Sequence, residues 1–200
     1  MGVELEQWFK KYQVDVPEGK SGPWKVEKFK VKGTEIQAMR LASEGRGLSP
    51  GIYTRLKHEK SWDPMMSDTP AEIRDHLEII RKAHGRVLLN GLGLGVVLKA
   101  ILNKPEVTHV DVVEINQDII NLVWPTYKDN PKITLHHADA FTIQWPKGTR
   151  WNVAWHDIWP NICVDNLEEM AKLHRKYGRR VDWQDSWSKS LCRYYRRRDR

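Results

Sequence analysis

The chain is poor in cysteine: Cys163 and Cys192 are the only two in 200 residues. They form no C-x-x-C pair and no His-rich cluster of metal-ligand spacing, so neither a disulfide framework nor a zinc site is indicated. Free thiols in a reducing, cytoplasmic setting are expected instead. Long apolar runs are absent too. None approaches the ~18 residues that a membrane-crossing helix needs, so no membrane association is expected. Residues 1–6 lack the apolar segment of a secretory signal, and Glu6 stands where N-myristoylation wants Ser or Thr. There is no G-x-S-x-G, no Walker loop and no H-E-x-x-H, which leaves hydrolase, NTPase and zincin chemistry without an anchor. Internal repeats are also lacking.

Acidic charge is scarce at one end. The net charge is +7, but residues 172–200 alone hold eleven Lys/Arg against three Asp/Glu. The remaining 171 residues are therefore nearly neutral. A basic run such as 193–200 either binds phosphates weakly, as in a nucleic-acid contact, or is a solvated end that aids solubility. Ten Trp is a high count. Trp serves as core bulk, pocket wall or stacking platform, and core and wall are the ordinary roles.

Residues 86–115 carry the most information. Val87, Leu88 and Leu89 read as a buried strand that ends in Asn90, Gly91, Leu92, Gly93, Leu94 and Gly95. A helical pattern follows, then a second apolar strand that ends in Glu114, 23 residues beyond Gly91. Strand, glycine turn, helix, strand and acid make one nucleotide-binding βαβ unit. Glycines allow backbone conformations closed to other residues and remove Cβ atoms that would block a ligand. An acid at the next strand end can accept two hydrogen bonds from a ribose diol. The pattern is G-x-G-x-G rather than the G-x-G-x-x-G of dinucleotide binders, with Val96 at the third position of the latter.

Around this unit, the chain reads as α/β. A short helix is predicted over 3–12 and a turn-rich linker over 17–23. Strands are predicted near 25–32, 35–42 and 52–57. Thr69 and Pro70 open a helix over 70–84, with Thr69 as its cap and Gly85 as its end. Strands then fall near 86–90, 108–114, 132–137, 151–157 and 180–184. Helices fall near 94–103, 116–127, 162–177 and 187–198. Such alternation implies a parallel sheet whose ligands bind at the carboxyl ends of the strands. The expected organisation is a helix and small β region over 1–69, then a Rossmann-like domain over 70–200.

At the glycine loop and the three later strand ends the chain resembles the class I S-adenosylmethionine (SAM)-dependent methyltransferases. The resemblance implies that Asn90, Gly91, Leu92, Gly93 and Gly95 cradle the methionine part of SAM. It implies that Glu114 takes the ribose hydroxyls while Ile115 packs on adenine. It also implies that Asp139 accepts from the adenine amino group and the Ala140 N–H donates to the ring. Asp157, at the end of the fourth strand, would face the reacting end as a proton acceptor or orienter, or else serve as a cap or simple SAM contact. Trp155 and Trp159 flank it as pocket wall, stacking surface or cation–π partners. His156, one residue earlier, points to the opposite face and reads as a core histidine.

Residues 50–160 are most similar to the spermidine-synthase-like branch of that fold, which places a small β region before the nucleotide-binding domain. Leu94 stands where synthases carry an acid in the loop, and no second acid follows Asp157; both points weigh against aminopropyl transfer. No N-P-P-Y tetrad follows the fourth strand, which disfavours base N-methylation. Only 43 residues follow Asp157, so the antiparallel C-terminal hairpin of the full fold is expected to be missing. The N-terminal β region or a second subunit (a homodimer) would then close the substrate site, or the chain would only bind SAM. The expected activity is methyl transfer to a small molecule or an exposed macromolecular group. The alternatives are aminopropyl transfer, a non-catalytic SAM-binding or nucleic-acid-associated module, and, with least support, a SAM lyase.

Overall fold

The structure, a computed structural model, describes residues 9–32, 50–61 and 64–198. The predicted strand at 35–42 and most of the helix at 3–12 lie outside these residues; Phe9 and Lys10 are helical. Nine strands and six α-helices follow among the described residues. The small sheet holds β1 (Gly19–Ser21), β2 (Trp24–Val31), β3 (Gly51–His58) and β4 (Met66–Ser67) in that order, all antiparallel. β1 falls inside the stretch read as a linker. It is the short return arm of a hairpin, turned at Gly22 with φ +51°.

Two helices come next, α1 (Pro70–Asp75) and α2 (Leu77–Lys82). The sequence predicts one helix here, but His76 breaks it with φ −103° and ψ 5°. Thr69 sits at the N-cap position with extended backbone, yet its hydroxyl pairs with Ser67 Oγ at 3.0 Å rather than capping the helix. Gly85, expected as the helix end, has φ +58° and opens the next strand, where a Cβ would strike the Asn152 side chain.

The second sheet contains β5 (Gly85–Asn90), β6 (Val107–Glu114), β7 (Ile133–His137), β8 (Trp151–His156) and β9 (Val181–Ser186). All pairings are parallel and the order is β7-β6-β5-β8-β9, the Rossmann-like α/β arrangement expected. Among the described residues it carries no antiparallel hairpin; β9 is an edge, and α6 (Lys189–Arg198) follows it. The crossovers use α3 (Val96–Leu102), α4 (Gln117–Val123) with a 3-10 turn at Trp124–Thr126, and α5 (Asn166–Tyr177). Asn116 caps α4, its side chain accepting from the Asp118 and Ile119 N–H groups. No helix of the described residues is long and apolar enough to cross a membrane.

Strand alternation divides the core. Val87, Leu89, Val110, Val112, Val153 and Trp155 share one apolar cluster with residues of α2 to α4 and with Val14, Val26 and Leu56 of the N-terminal region. The small sheet is thus packed into the same core as the parallel one. Polar ties reinforce this: Ser21 Oγ donates to Asp118 Oδ1 at 2.7 Å, and Lys99 pairs with Asp15 at 2.6 Å. The buried Asp68 carboxylate accepts from the Thr54 and Val14 N–H groups. On the opposite face Leu88, Val113 and Ala154 pack with Met170, Leu173, Tyr177 and Cys192 of α5 and α6.

The β7–β8 connection has no helix. Its loop is instead pinned by α5: Lys176 Nζ donates to the carbonyls of Ala140, Phe141 and Ile143, and Tyr177 Oη donates to Ala140. Beside it lies a buried charge hub. The Asp111 carboxylate, in a residue 2 % exposed, accepts from Arg86 Nε and Trp151 Nε1, both at 2.7 Å, and pairs with His136 at 3.0 Å. Burial opposes ionisation of Asp111, but these hydrogen bonds together hold its carboxyl below the usual range.

Candidate functional site

The carboxyl ends of β5, β6, β7 and β8 surround a cavity of about 380 Å³. That is the lower end of the range for small-molecule sites, roughly 300–1,000 Å³. The glycine loop forms its floor. Gly91, Gly93 and Gly95 have φ of +104°, +50° and +81°. Each also faces a close neighbour. A Cβ on Gly91 would lie 2.0 Å from the Asp157 carbonyl oxygen, one on Gly93 2.7 Å from Met66 Sδ, and one on Gly95 2.7 Å from the Tyr127 ring. Backbone freedom and closeness of approach therefore both require glycine here.

Glu114 organises this loop. It is 7 % exposed, and its Oε2 accepts the Leu92 N–H at 2.9 Å while Oε1 accepts the Asn116 N–H at 2.8 Å. Each carboxylate oxygen keeps a lone pair for a ligand hydroxyl. Ile115, at 64 % exposed, offers an apolar face on the cavity rim. Beyond β7, Asp139 Oδ1 accepts the Phe141 N–H at 2.8 Å, and Oδ2 has no partner among the described residues. Ala140 lines the wall beside it.

Asp157 follows β8 and lines the cavity with its side chain 10 % exposed. Its N–H donates to Asn90 O at 2.8 Å. Burial, with Asp75 and Glu114 nearby, pushes its carboxyl up to about 7. The buried His76 ring stands with Nε2 3.7 Å from Asp157 Oδ2. His76 was not singled out from sequence; a lone histidine in a helical pattern carries no signature. His156 does lie on the far face. Its Nδ1 meets the Asn90 amide at 2.7 Å, its Nε2 meets Gln184 at 3.1 Å, and burial pushes its pKa down to about 3.

Of the residues chosen from sequence, Gly91, Gly93, Glu114, Ile115, Asp139, Ala140 and Asp157 come together around the cavity. Asn90, Leu92 and Gly95 do not line it. Asn90 is buried against His156, the Leu92 side chain belongs to the core, and Gly95 lies beneath the Tyr127 ring. They shape the loop from behind. Trp159 is a wall residue and donates to Glu169 at 2.7 Å, whereas Trp155 sits in the core, stacked on Trp183. The sequence pattern misses Trp24, Met65 and Met66 of the small sheet and its connection, Glu72 of α1, and Trp187 after β9. Strand-end motifs cannot reveal them, because tertiary packing brings them in.

The lining has one sign of charge. Glu72, Glu114, Asp139 and Asp157 are its ionisable side chains, and no Lys, Arg or His lines it among the described residues. Four aromatic side chains, Trp24, Phe141, Trp159 and Trp187, complete the walls. Such a site suits a ligand that is cationic and planar rather than a phosphate. Among the described residues no cluster of three metal-ligating side chains occurs.

No protein-family model matches the chain, and no curated protein matches it in sequence. Solved structures share part of it. A SAM-dependent methyltransferase from Clostridium acetobutylicum is 11% identical over 55% of this chain and 43% of its own, with TM-score 0.40. The CcbJ methyltransferase from Streptomyces caelestis is 15% identical over 54% and 44%, with TM-score 0.42. The N-methyltransferase NodS from Bradyrhizobium japonicum is 11% identical over 52% and 57%, with TM-score 0.39. The matched region thus spans between two fifths and three fifths of those chains.

Proposed function

We propose that the cavity binds SAM and that the protein transfers its methyl group to an acceptor admitted between the small sheet and β8. The observation that carries this reading is the all-acid, aromatic-walled cavity over a glycine loop, at the carboxyl ends of parallel strands. A dinucleotide brings two phosphates, and among the described residues the lining has no cation to receive them. SAM brings a sulfonium and an amine, which four carboxylates and four aromatic rings accommodate.

The residues fit the molecule part by part. Glu114 would take the ribose diol while it holds the loop, Asp139 Oδ2 would accept the adenine amino group, and Ile115 would pack against the ring. SAM bound there supplies a methyl group already activated for transfer to a nucleophile. The chain then has to orient the acceptor, keep water out and take up a proton. Asp157, whose carboxyl burial pushes up to about 7, would accept that proton, and His76 stands behind it. The aromatic walls exclude water and strengthen these contacts.

The likeness to the spermidine-synthase-like branch is supported by the small sheet, whose Trp24 and Met66 wall the cavity. Aminopropyl transfer is less well supported. Leu94, where an acid would be needed, is fully buried in the core. Calorimetric titration with SAM, decarboxylated SAM and NAD tests the reading. Binding of SAM, with the other two weak, is expected. Preference for decarboxylated SAM would move the assignment to aminopropyl transfer, and absence of all binding would remove it.

A further inference from the structure

α6 is a helix with two dissimilar faces. Cys192 is buried among α5 residues, with Leu191 and Tyr195 partly covered. Arg193, Tyr194, Arg196, Arg197 and Arg198 are exposed. Arg193, Arg196 and Arg197 form no ion pair among the described residues. Spacings of three and four put these three on one helical face, with Tyr194, 58 % exposed, beside them. The neighbouring α5 adds Arg175, and Lys189 and Arg193 are near enough to His174 to help burial lower its pKa to about 4.

The position of this face matters as much as its charge. α6 begins two residues after Trp187, a wall of the cavity, and Cys192 packs close to Cys163, three residues beyond the wall residue Pro160. A strong cationic patch therefore stands beside an acidic cavity. An acceptor of either uniform charge fits this pair poorly. A polymer with phosphates along its length and uncharged rings between them fits both: phosphates on α6, an uncharged sugar or base at the cavity.

We infer that α6 is the docking surface for a single-stranded or looped nucleic acid, which is the acceptor class of the cavity; the acceptor role, though not the docking, rests on the methyl-transfer reading. Phosphates pair with the arginines, and an unpaired base stacks on Tyr194. An anionic membrane fits less well, since the apolar side of α6 is already used against α5 and cannot enter lipid.

The test is fluorescence anisotropy with a fluorescein-labelled 20-nucleotide single-stranded RNA, across 50–400 mM salt. The wild-type protein is compared with R193A/R196A/R197A and with Tyr194→Ala. Removing three phosphate contacts should flatten the slope of log affinity against log salt by about 2.1. Tyr194→Ala should weaken binding roughly 5-fold or more and leave the slope unchanged. No binding by the wild-type protein at 50 mM salt would overturn the inference, as would a slope that is the same in the triple variant. So would displacement of the RNA by phosphatidylserine vesicles but not by unlabelled RNA. SAM titration of the same variants separates the two claims: RNA binding without SAM binding sinks the methyl-transfer reading alone, and SAM binding without RNA binding sinks this one alone.

Discussion

Glu114→Gln tests both the loop contacts of this acid and the ribose contact proposed for it. In the wild-type protein both carboxylate oxygens receive a backbone N–H, from Leu92 at 2.9 Å and Asn116 at 2.8 Å. Glutamine has nearly the same shape but only one oxygen. Whichever way the amide turns, its NH2 group faces one of those donors. One charge-assisted bond is lost, at ~1.5–3 kcal/mol, and one buried N–H is left unsatisfied, at ~1–3 kcal/mol. Part of each loss is relieved by movement, so a net destabilisation of about 2–4 kcal/mol is expected. With a urea slope near ~2 kcal/mol per molar, the unfolding midpoint should fall by roughly 1–2 M. The same change removes an acceptor from the ribose, so SAM affinity should fall roughly 10- to 150-fold. Urea unfolding followed by Trp fluorescence, and calorimetric titration of the folded variant, measure the two effects. A midpoint within ~0.2 M of wild type together with unchanged SAM affinity would refute the reasoning about both the loop and the ligand.

Asp157→Asn tests the buried acid by pH. Its folded pKa, about 7, lies above the unfolded carboxylate value, so its contribution to stability is full in acid and is lost as pH rises toward 7. Relative to the Asn variant, wild-type stability should therefore decline by about 1.4 kcal/mol per pH unit between pH 4 and 7; parallel curves from chemical denaturation would count against the placement. Gly91→Ala should unfold the loop, costing at least ~3 kcal/mol, because strain at positive φ adds to the collision with Asp157 O. Gly148→Ala, at φ +86° with nothing within 4 Å of its Cβ, should cost only ~1–2 kcal/mol by the same chemical denaturation. Asp111→Ala should cost ~1–3 kcal/mol at pH 7, since it leaves the buried Trp151 N–H unsatisfied, while the Arg86 side chain, 42 % exposed, regains water. That gap should close in acid, because a lowered carboxyl pKa stabilises above the unfolded value and ceases to as pH falls through the folded one.

The parallel sheet was legible because its inner strands β5, β6 and β8 are largely buried and carry apolar runs, as in Val87 to Leu89 or Val110 to Val113. β9 was the faintest of them: at the sheet edge, Asp182, Gln184 and Asp185 meet solvent or polar partners. β4 is only two residues long and leaves no periodicity to detect. The break at His76 was invisible because the apolar pattern of α1 continues into α2, and only the tertiary position of the ring beside Asp157 explains it. Within the candidate site, strand-end chemistry located Glu114, Asp139 and Asp157, since residues at the ends of parallel strands converge. The other wall of the cavity comes from Trp24, Met66 and Trp187, which are far apart in sequence and meet through packing alone. Lys176, which ties down the loop around Ala140, looked like one more cation in a basic stretch.

The three glycines are boxed in by parts that belong to different elements: the end of β8, a methionine of the small sheet and a tyrosine beyond α4. A loop wedged this way has few shapes left to lose. The entropy of ordering it is spent during folding, so little remains to be spent when a ligand arrives. Association of a ligand should therefore run at a rate set by diffusion into the cavity rather than by loop closure, and the floor of the cavity should be as rigid in the free protein as in a loaded one. Variation in what the cavity admits then falls to its rim, where Trp187 and the small sheet can change without disturbing the floor.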